Sequence, residues 1–83
     1  MSKLKFAQTN KDTNRNAFIV WTNNGERHFR CVVPCEDFAD RFGSDSGETF
    51  QAHLSEVKKR VEELYESKGL NAEGELLVTF FEA

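Results

Sequence analysis

Apolar and polar residues alternate along two segments that meet at Asn24-Gly25. Asn-Gly between strand-like residues predicts a β-hairpin, because a two-residue type I′ turn requires a positive φ at both central positions. The cross-strand pairs that this turn predicts are Thr22 with Arg27, Trp21 with His28, Val20 with Phe29, Ile19 with Arg30, Phe18 with Cys31 and Ala17 with Val32.

This pairing divides the hairpin into two chemically different faces, because opposed residues of paired strands share a face. One face, called the inner face below, is entirely apolar and carries Phe18, Val20, Phe29, Cys31 and Val33. The other, the outer face, mixes aromatic, aliphatic and basic side chains: Ala17, Ile19, Trp21, His28, Arg30 and Val32. We expect the inner face to form the core.

A short strand and a polar loop precede the hairpin. Lys3 to Ala7 alternates, which predicts a strand with Leu4 and Phe6 directed inward. Residues 8–16 are almost wholly polar and predict a mobile loop. The hairpin then occupies about residues 17–33.

Two helices are predicted after the hairpin. Cys35 to Phe42 has the pattern of a short helix with Gly43 at its C-terminal end. The main helix runs from about Glu48 to Lys68 and is capped by Asp45 or Ser46. Its apolar residues fall on one stripe at helical spacing, namely Phe50, Leu54, Val57, Val61, Leu64 and Tyr65.

The last predicted strand, Glu75 to Phe81, is apolar on both sides. Leu76, Val78 and Phe80 fall on one side, and Leu77, Thr79 and Phe81 fall on the other. A strand of this kind is normally covered on both faces. Two helices cover only one face of a small sheet, so we expect the outer face to lack a cover within the chain.

These elements predict an α+β fold in a single domain, residues 1–83. Along the chain the order is β-β-β-α-α-β, with a small antiparallel sheet and one long and one short helix packed on one of its faces. A chain of 83 residues buries only about 60% of its unfolded surface. The eight Phe and one Trp therefore supply much of the core.

Composition favours a soluble cytoplasmic protein. No apolar stretch follows the N-terminal lysines as in a signal peptide, and no run approaches the ~20 apolar residues of a membrane span. Cys31 and Cys35 fit reduced thiols, as expected in the cytoplasm.

Charge is distributed unevenly along the chain. Residues 1–30 carry six Lys or Arg against two acids, whereas residues 31–83 carry five against twelve. This asymmetry could steer an anionic partner or favour self-association.

One segment resembles the strand-to-helix signature of a bacterial family, domain of unknown function 1488. The segment runs from Cys31 to Gly43, and the likeness continues at Phe50, His53, Val57 and Glu73-Gly74-Glu75. The chain departs from the signature at Pro34, where a Ser-like cap is usual, and at the apolar Leu77 and Phe81. The resemblance covers most of residues 17–80. It implies a small α+β bacterial protein without an established activity, in a family where some members carry a regulator label.

The strongest candidate site is on the outer face, where Trp21, His28 and Arg30 come together. One interpretation is that Trp21 packs under the 8–16 loop or across a homodimer interface, with Arg30 stacked on it. The alternative is a platform for single-stranded nucleic acid, with a base on the indole and phosphates near the cations. A lone aromatic residue and an acidic chain favour the first interpretation.

Metal binding and catalysis receive little support from the sequence. His28, Cys31, Cys35 and His53 could ligate zinc, but His28 and Cys31 point to opposite faces of one strand. Cys35 near a helix N-terminus could act as a nucleophile, although the two acids that follow it disfavour the thiolate. The sequence contains no phosphate-binding loop and no nucleophile with a positioned base.

The sequence therefore predicts a non-catalytic binding or regulatory module without a cofactor or a membrane partner. We expect it to form a homodimer through Ile19, Trp21, His28, Arg30 and Val32. Single-stranded nucleic-acid binding or a transcription-associated role through Trp21, His28 and Arg30 is the alternative.

Overall fold

The computed structural model describes residues 4–80, which form a four-stranded sheet and three helices. The strands lie in the order β1-β2-β3-β4 across the sheet. The elements are β1 (Lys5–Asp12), β2 (Ala17–Asn23), β3 (His28–Pro34), α1 (Cys35–Phe42), α2 (Gly47–Ala52), α3 (Leu54–Ser67) and β4 (Leu76–Leu77). The predicted α+β class is confirmed, with three helices in place of the predicted two.

The sheet is mixed, which corrects the prediction of an antiparallel sheet. β1, β2 and β3 pair antiparallel in chain order, whereas β4 pairs parallel with β3. The helical segment carries the chain from the end of β3 back to its beginning, so β4 runs in the same direction as β3. Only Leu76 and Leu77 of the predicted last strand form a ladder, and Phe81 lies outside the described residues.

The register of the β2–β3 hairpin is shifted by two residues from the predicted one. Trp21 lies opposite Arg30, and His28 lies opposite Asn23, so the connection is a four-residue loop, residues 24–27. Asn24 explains the difference: its side-chain oxygen accepts bonds from the backbone N–H groups of Glu26 (2.9 Å) and Arg27 (3.0 Å). Because the shift is an even number of residues, the inner and outer faces keep their predicted members.

β1 extends through most of the segment predicted as a loop. It begins at Lys5, pairs with β2 as far as Asp12, and contains an irregularity between Phe6 and Thr9. The polar residues fit a strand here because β1 is at the edge of the sheet, where its side chains remain largely exposed. Leu4 and Phe6 pack against the core as predicted.

The predicted long helix is divided at His53 into α2 and α3. His53 has φ −111° and ψ 18°, outside the helical region. Ser46 is the cap of α2, and its hydroxyl accepts a bond from the Thr49 N–H at 3.2 Å. α1 ends as predicted at Gly43, which has φ 90° and tolerates this left-handed conformation because it has no Cβ. No helix within residues 4–80 has the length and apolar character needed to cross a membrane.

The main core lies between the inner face and the helices. All five predicted inner-face residues are buried, together with the helical stripe residues Phe50, Val57, Val61 and Leu64. Aromatic rings dominate the contact: Phe18 stacks on Phe50 with 4.1 Å between centroids and meets Phe38 edge-on at 5.4 Å. The pattern of apolar residues therefore predicts the core correctly even where the strand pairing differs.

Side chains hold the C-terminal segment in place beyond its two-residue ladder. Leu76 and Val78 are buried in the main core, which confirms the predicted alternation. Further along, the Arg60 Nε donates to the Thr79 carbonyl at 2.6 Å. The Phe80 N–H then donates to the Asp37 carboxylate at 2.9 Å. These two hydrogen bonds hold the segment where it passes from the sheet to the helical layer.

Candidate functional site

The outer face carries the residues predicted as a binding site, arranged in rows across the strands. Ile19 lies opposite Val32, which in turn pairs with Leu77 of β4. Trp21 lies opposite Arg30 in the neighbouring row. Ala17, Ile19 and Val32 form a small apolar cluster separate from the main core. That cluster contains no helical residue, so the helices leave this side of the sheet free.

Burial divides the predicted site into a floor and an exposed part. Ala17, Ile19 and Val32 are only 2%, 3% and 7% exposed, so the expectation that the outer face is uncovered is wrong for these three residues. Trp21 and Leu77 remain 39% and 54% exposed, and they are the exposed large apolar side chains within residues 4–80. A partner molecule could therefore contact Trp21 and Leu77 directly, whereas Ile19 and Val32 offer it little surface.

Arg30 links Trp21 to the C-terminal segment. Its guanidinium carbon lies 5.6 Å from the centroid of the indole ring, a cation–π geometry, so the interpretation that Arg30 stacks on Trp21 is confirmed. The same side chain places one nitrogen 2.7 Å from a carboxylate oxygen of Glu75. His28 is exposed one row closer to the turn, opposite Asn23.

Glu75 is a central residue of this face that sequence reasoning missed. Arg15 binds its carboxylate with two hydrogen bonds, of 2.9 and 2.8 Å, while the Glu75 side chain is only 7% exposed. These bonds, together with the positive charges of Arg15 and Arg30, hold the pKa of Glu75 below its usual value although burial acts in the opposite direction. The Glu73-Gly74-Glu75 likeness marked this carboxylate in the sequence, but nothing there indicated its partners.

The Arg15–Glu75–Arg30 cluster changes the electrostatics expected of the outer face. A fork-shaped pair such as Arg15 with Glu75 fixes both groups in one orientation. Arg30 shares the same carboxylate, so one negative charge is divided between two guanidinium groups and the cluster keeps one net positive charge. A phosphate that approached Trp21 would meet one shared guanidinium and the exposed His28, which is a weak anion-binding arrangement.

The two cysteines are buried and differ from reactive thiols. The Cys31 sulfur lies 3.4 Å from the Thr22 hydroxyl, and burial raises the pKa of this thiol to about 11. Burial also raises the pKa of Cys35, so desolvation is the main influence there, in place of the predicted effect of the adjacent acids. Neither thiol is ionised to a useful extent near neutral pH.

The other candidate metal ligands do not converge. The His53 ring nitrogen lies 3.0 Å from the Glu56 carboxylate, and the ring stacks on Phe42 with 4.3 Å between centroids. Within residues 4–80, no three His, Cys, Asp or Glu side chains form a group that could hold a metal ion. These contacts give His53 a structural role at the break between α2 and α3.

The fold defines a small α+β protein with a hairpin-centred mixed sheet and helices on one side. A crystal structure of a protein of unknown function from the domain of unknown function 1488 family, from Shewanella loihica PV-4, has the same fold. It matches with a TM-score of 0.83 over 95% of this chain and 94% of that chain, at 13% sequence identity. No family model and no curated protein matches the sequence. The fold implied by the family resemblance is confirmed, and because that neighbour has no known function, it adds no activity.

Proposed function

We propose that this protein is a non-catalytic binding or regulatory module that forms a homodimer through the outer face of its sheet. The observation that carries the proposal is the joint exposure of Trp21 and Leu77 on this helix-free face. Apolar side chains that remain exposed together are typical of interaction sites. A second copy of the chain is the simplest partner, because a two-fold axis lets one patch cover itself.

The arrangement of the face supports an interface of ordinary composition. Trp21 and Leu77 flank β3 on diagonal positions, beside Arg30 and Val32 respectively. The buried Val32 fixes the floor of the patch, while Arg30 and the exposed His28 supply a polar rim. Trp is among the residue types most often found at energetic centres of interfaces. The Glu75 contact restrains the Arg30 side chain, which lowers the entropy lost on association.

The fluorescence of Trp21 tests the proposal directly, because the chain contains one Trp. Association should remove water from the indole, so its emission should move to shorter wavelength as the protein concentration rises. Sedimentation velocity over about 1–100 µM, a range that brackets micromolar affinity, should show the mass change from one chain to two over the same interval. Agreement between the two readouts places Trp21 at the interface.

A pair of lysine variants locates the interface. Leu77→Lys introduces a charge at the other exposed apolar position of the face without removing the fluorophore, and we expect it to abolish both the mass change and the emission shift. Ser55→Lys adds the same charge at an exposed position of α3 and should leave both unchanged. A chain that stays monomeric at about 100 µM, or a dimer unaffected by Leu77→Lys, would refute the proposal.

The alternative function, single-stranded nucleic-acid binding, uses the same face and is tested with the same protein. Trp21 provides one ring and Arg30 provides a cation beside the exposed His28, but Arg30 is also engaged by Glu75, and within the part of the chain that the structure describes the face offers a single aromatic ring for stacking. Quenching of Trp21 emission by a short oligothymidylate at low salt, lost in Arg30→Ala and at high salt, would support this alternative. Absence of quenching at low salt would eliminate it.

A further inference from the structure

A groove on the helical side of the molecule lies apart from the outer face. It has a volume of about 350 Å³, which is within the range of small-molecule sites. The end of α1, one face of α3 and the C-terminal segment line it with Arg41, Glu56, Lys59, Arg60, Glu63 and Phe80. The four α3 residues are spaced so that they share one surface of the helix, separate from the stripe that enters the core.

The charges in this groove are unevenly balanced. Glu63 forms an ion pair with Arg60 at 3.4 Å, whereas a carboxylate oxygen of Glu56 lies 3.0 Å from a ring nitrogen of His53. Arg60 is further engaged by its bond to the Thr79 carbonyl. Both acids therefore have a polar neighbour within the chain, and Glu63 has a positively charged one.

Two cations of the groove have no such counterpart. Within residues 4–80, no carboxylate lies within ion-pair distance of Arg41 or Lys59. The Arg41 guanidinium lies 5.8 Å from the centroid of the Phe42 ring, which restrains the side chain and leaves its N–H donors available. A guanidinium held in this way can bind a carboxylate through two parallel hydrogen bonds.

Phe80 supplies an apolar wall beside these cations. Its ring meets Phe42 edge-on with 5.2 Å between centroids, and its backbone N–H is bound by Asp37. The ring is therefore fixed at the groove and half-buried. An aromatic or aliphatic group that lies along Phe80 would lose water contact on one side, which favours a ligand with an apolar arm.

We propose that this groove binds a small organic monoanion with one apolar or aromatic arm. The anionic group lies between Arg41 and Lys59, and the arm lies along Phe80. The carboxylates of Glu56 and Glu63 at the same groove disfavour a ligand with more negative charge. Because the cations are exposed and screened by water, the affinity is expected to be millimolar.

Three matched probes test the chemistry, each added to the full ¹⁵N-labelled chain and followed by amide NMR shifts. Phenylacetate carries both the charge and the ring, acetate carries the charge alone, and phenylacetamide carries the ring without the charge. We expect saturable shifts at Arg41, Lys59 and Phe80 with phenylacetate, and shifts at least about tenfold weaker in apparent affinity with the other two. Equal responses to phenylacetate and phenylacetamide, or no saturable response to phenylacetate, would overturn the proposal.

Variants on the groove and away from it localise the binding. Arg41→Gln and Lys59→Gln are surface changes, and each is expected to raise the dissociation constant for phenylacetate by about tenfold. Lys68→Gln removes an equal charge just beyond α3, outside the groove, and should leave the affinity unchanged. A matching loss with Lys68→Gln would show that the anion responds to overall charge, which contradicts a site between Arg41 and Lys59.

Discussion

Arg30 lies directly across from Trp21 on the neighbouring strand, and its guanidinium contacts both the indole ring and the carboxylate of Glu75. One side chain thereby joins the exposed part of the outer face to a buried ion cluster. Through Arg15, the cluster in turn connects the turn between β1 and β2, residues 13–16, to the segment that precedes β4. The stability of the C-terminal segment and the shape of the candidate interface are consequently linked.

Glu75→Gln should destabilise the fold although it preserves the size of the side chain. The amide keeps some hydrogen bonding but leaves Arg15 and Arg30 without their shared negative charge. We expect a loss of about 1–3 kcal/mol in the free energy of unfolding, measured by urea denaturation, as for charged hydrogen bonds. Glu73→Gln, at an exposed position in the preceding turn, is the matched control and should change stability by less than about 0.5 kcal/mol.

The same variant should have a different acid response. Because the hydrogen bonds from Arg15 lower the pKa of Glu75 in the folded state, its contribution is complete above the unfolded-state pKa of about 4.3. The contribution is lost as the pH falls through the lower, folded-state pKa. The difference in unfolding free energy between wild-type protein and Glu75→Gln should therefore begin to narrow below about pH 4 and close as the pH passes the folded-state pKa. A constant difference between them down to pH 2 would contradict this assignment.

Asn24 sets the register of the hairpin, so replacing this half-buried loop residue should be costly. Asn24→Ala loses two side-chain bonds to backbone N–H groups and the bond from its amide to the Tyr65 hydroxyl, which is 2.8 Å long. We expect a loss of about 1–2 kcal/mol in unfolding free energy. Tyr65→Phe removes only the last bond and should cost less. A double-mutant cycle of the two changes should give a positive coupling energy, and additivity would show that the Tyr65 bond contributes nothing.

The sequence predicts features that depend on the spacing of apolar residues, but not features that depend on contacts between particular residues. The inner face and the helical stripe follow from periods of two and 3.6 residues, and Phe18, Val20 and Val57 are buried as expected. The predicted register of β2 and β3 was wrong by two residues. The register depends on the side-chain hydrogen bonds of Asn24, which favour a four-residue loop over the two-residue turn. Propensity alone could not predict the β1 extension, since pairing with β2 outweighs the polar character of residues 8–12.

The candidate site was predictable only in part. Alternation places Trp21, Arg30 and Val32 on one face, and the structure has them on one face although the register differs. Arg15 and Glu75 lie 60 residues apart in the chain, and Arg15 fell in a segment predicted as a loop, so no local pattern could pair them. The parallel direction of β4 also depends on how the helices return the chain, which brings Glu75 next to Arg30.

Cys31→Val should make the protein more tolerant of alkaline conditions. Burial raises the pKa of the folded thiol to about 11, whereas an unfolded thiol ionises near 8.5. The folded state then binds more protons than the unfolded state, so wild-type stability falls as the pH rises from about 8.5 to 11. Valine has a similar volume, and the Thr22 hydroxyl keeps its bond to the Val20 carbonyl. Unfolding measured at pH 7 and pH 10 should show a smaller loss for the variant, and an equal loss would contradict the assignment.

Arg30→Gln tests whether the guanidinium shields Trp21 within a single chain. Measured at a concentration where sedimentation shows one chain per particle, the variant should expose more of the indole, so emission should shift to longer wavelength and acrylamide should quench it more strongly. Arg30→Lys keeps the charge but not the planar group that stacks on the ring, so it should fall between wild type and Arg30→Gln. Arg27→Gln, exposed in the hairpin loop, controls for lost charge. If Arg30→Lys matches wild type, stacking adds no shielding, and charge alone would hold the side chain over Trp21.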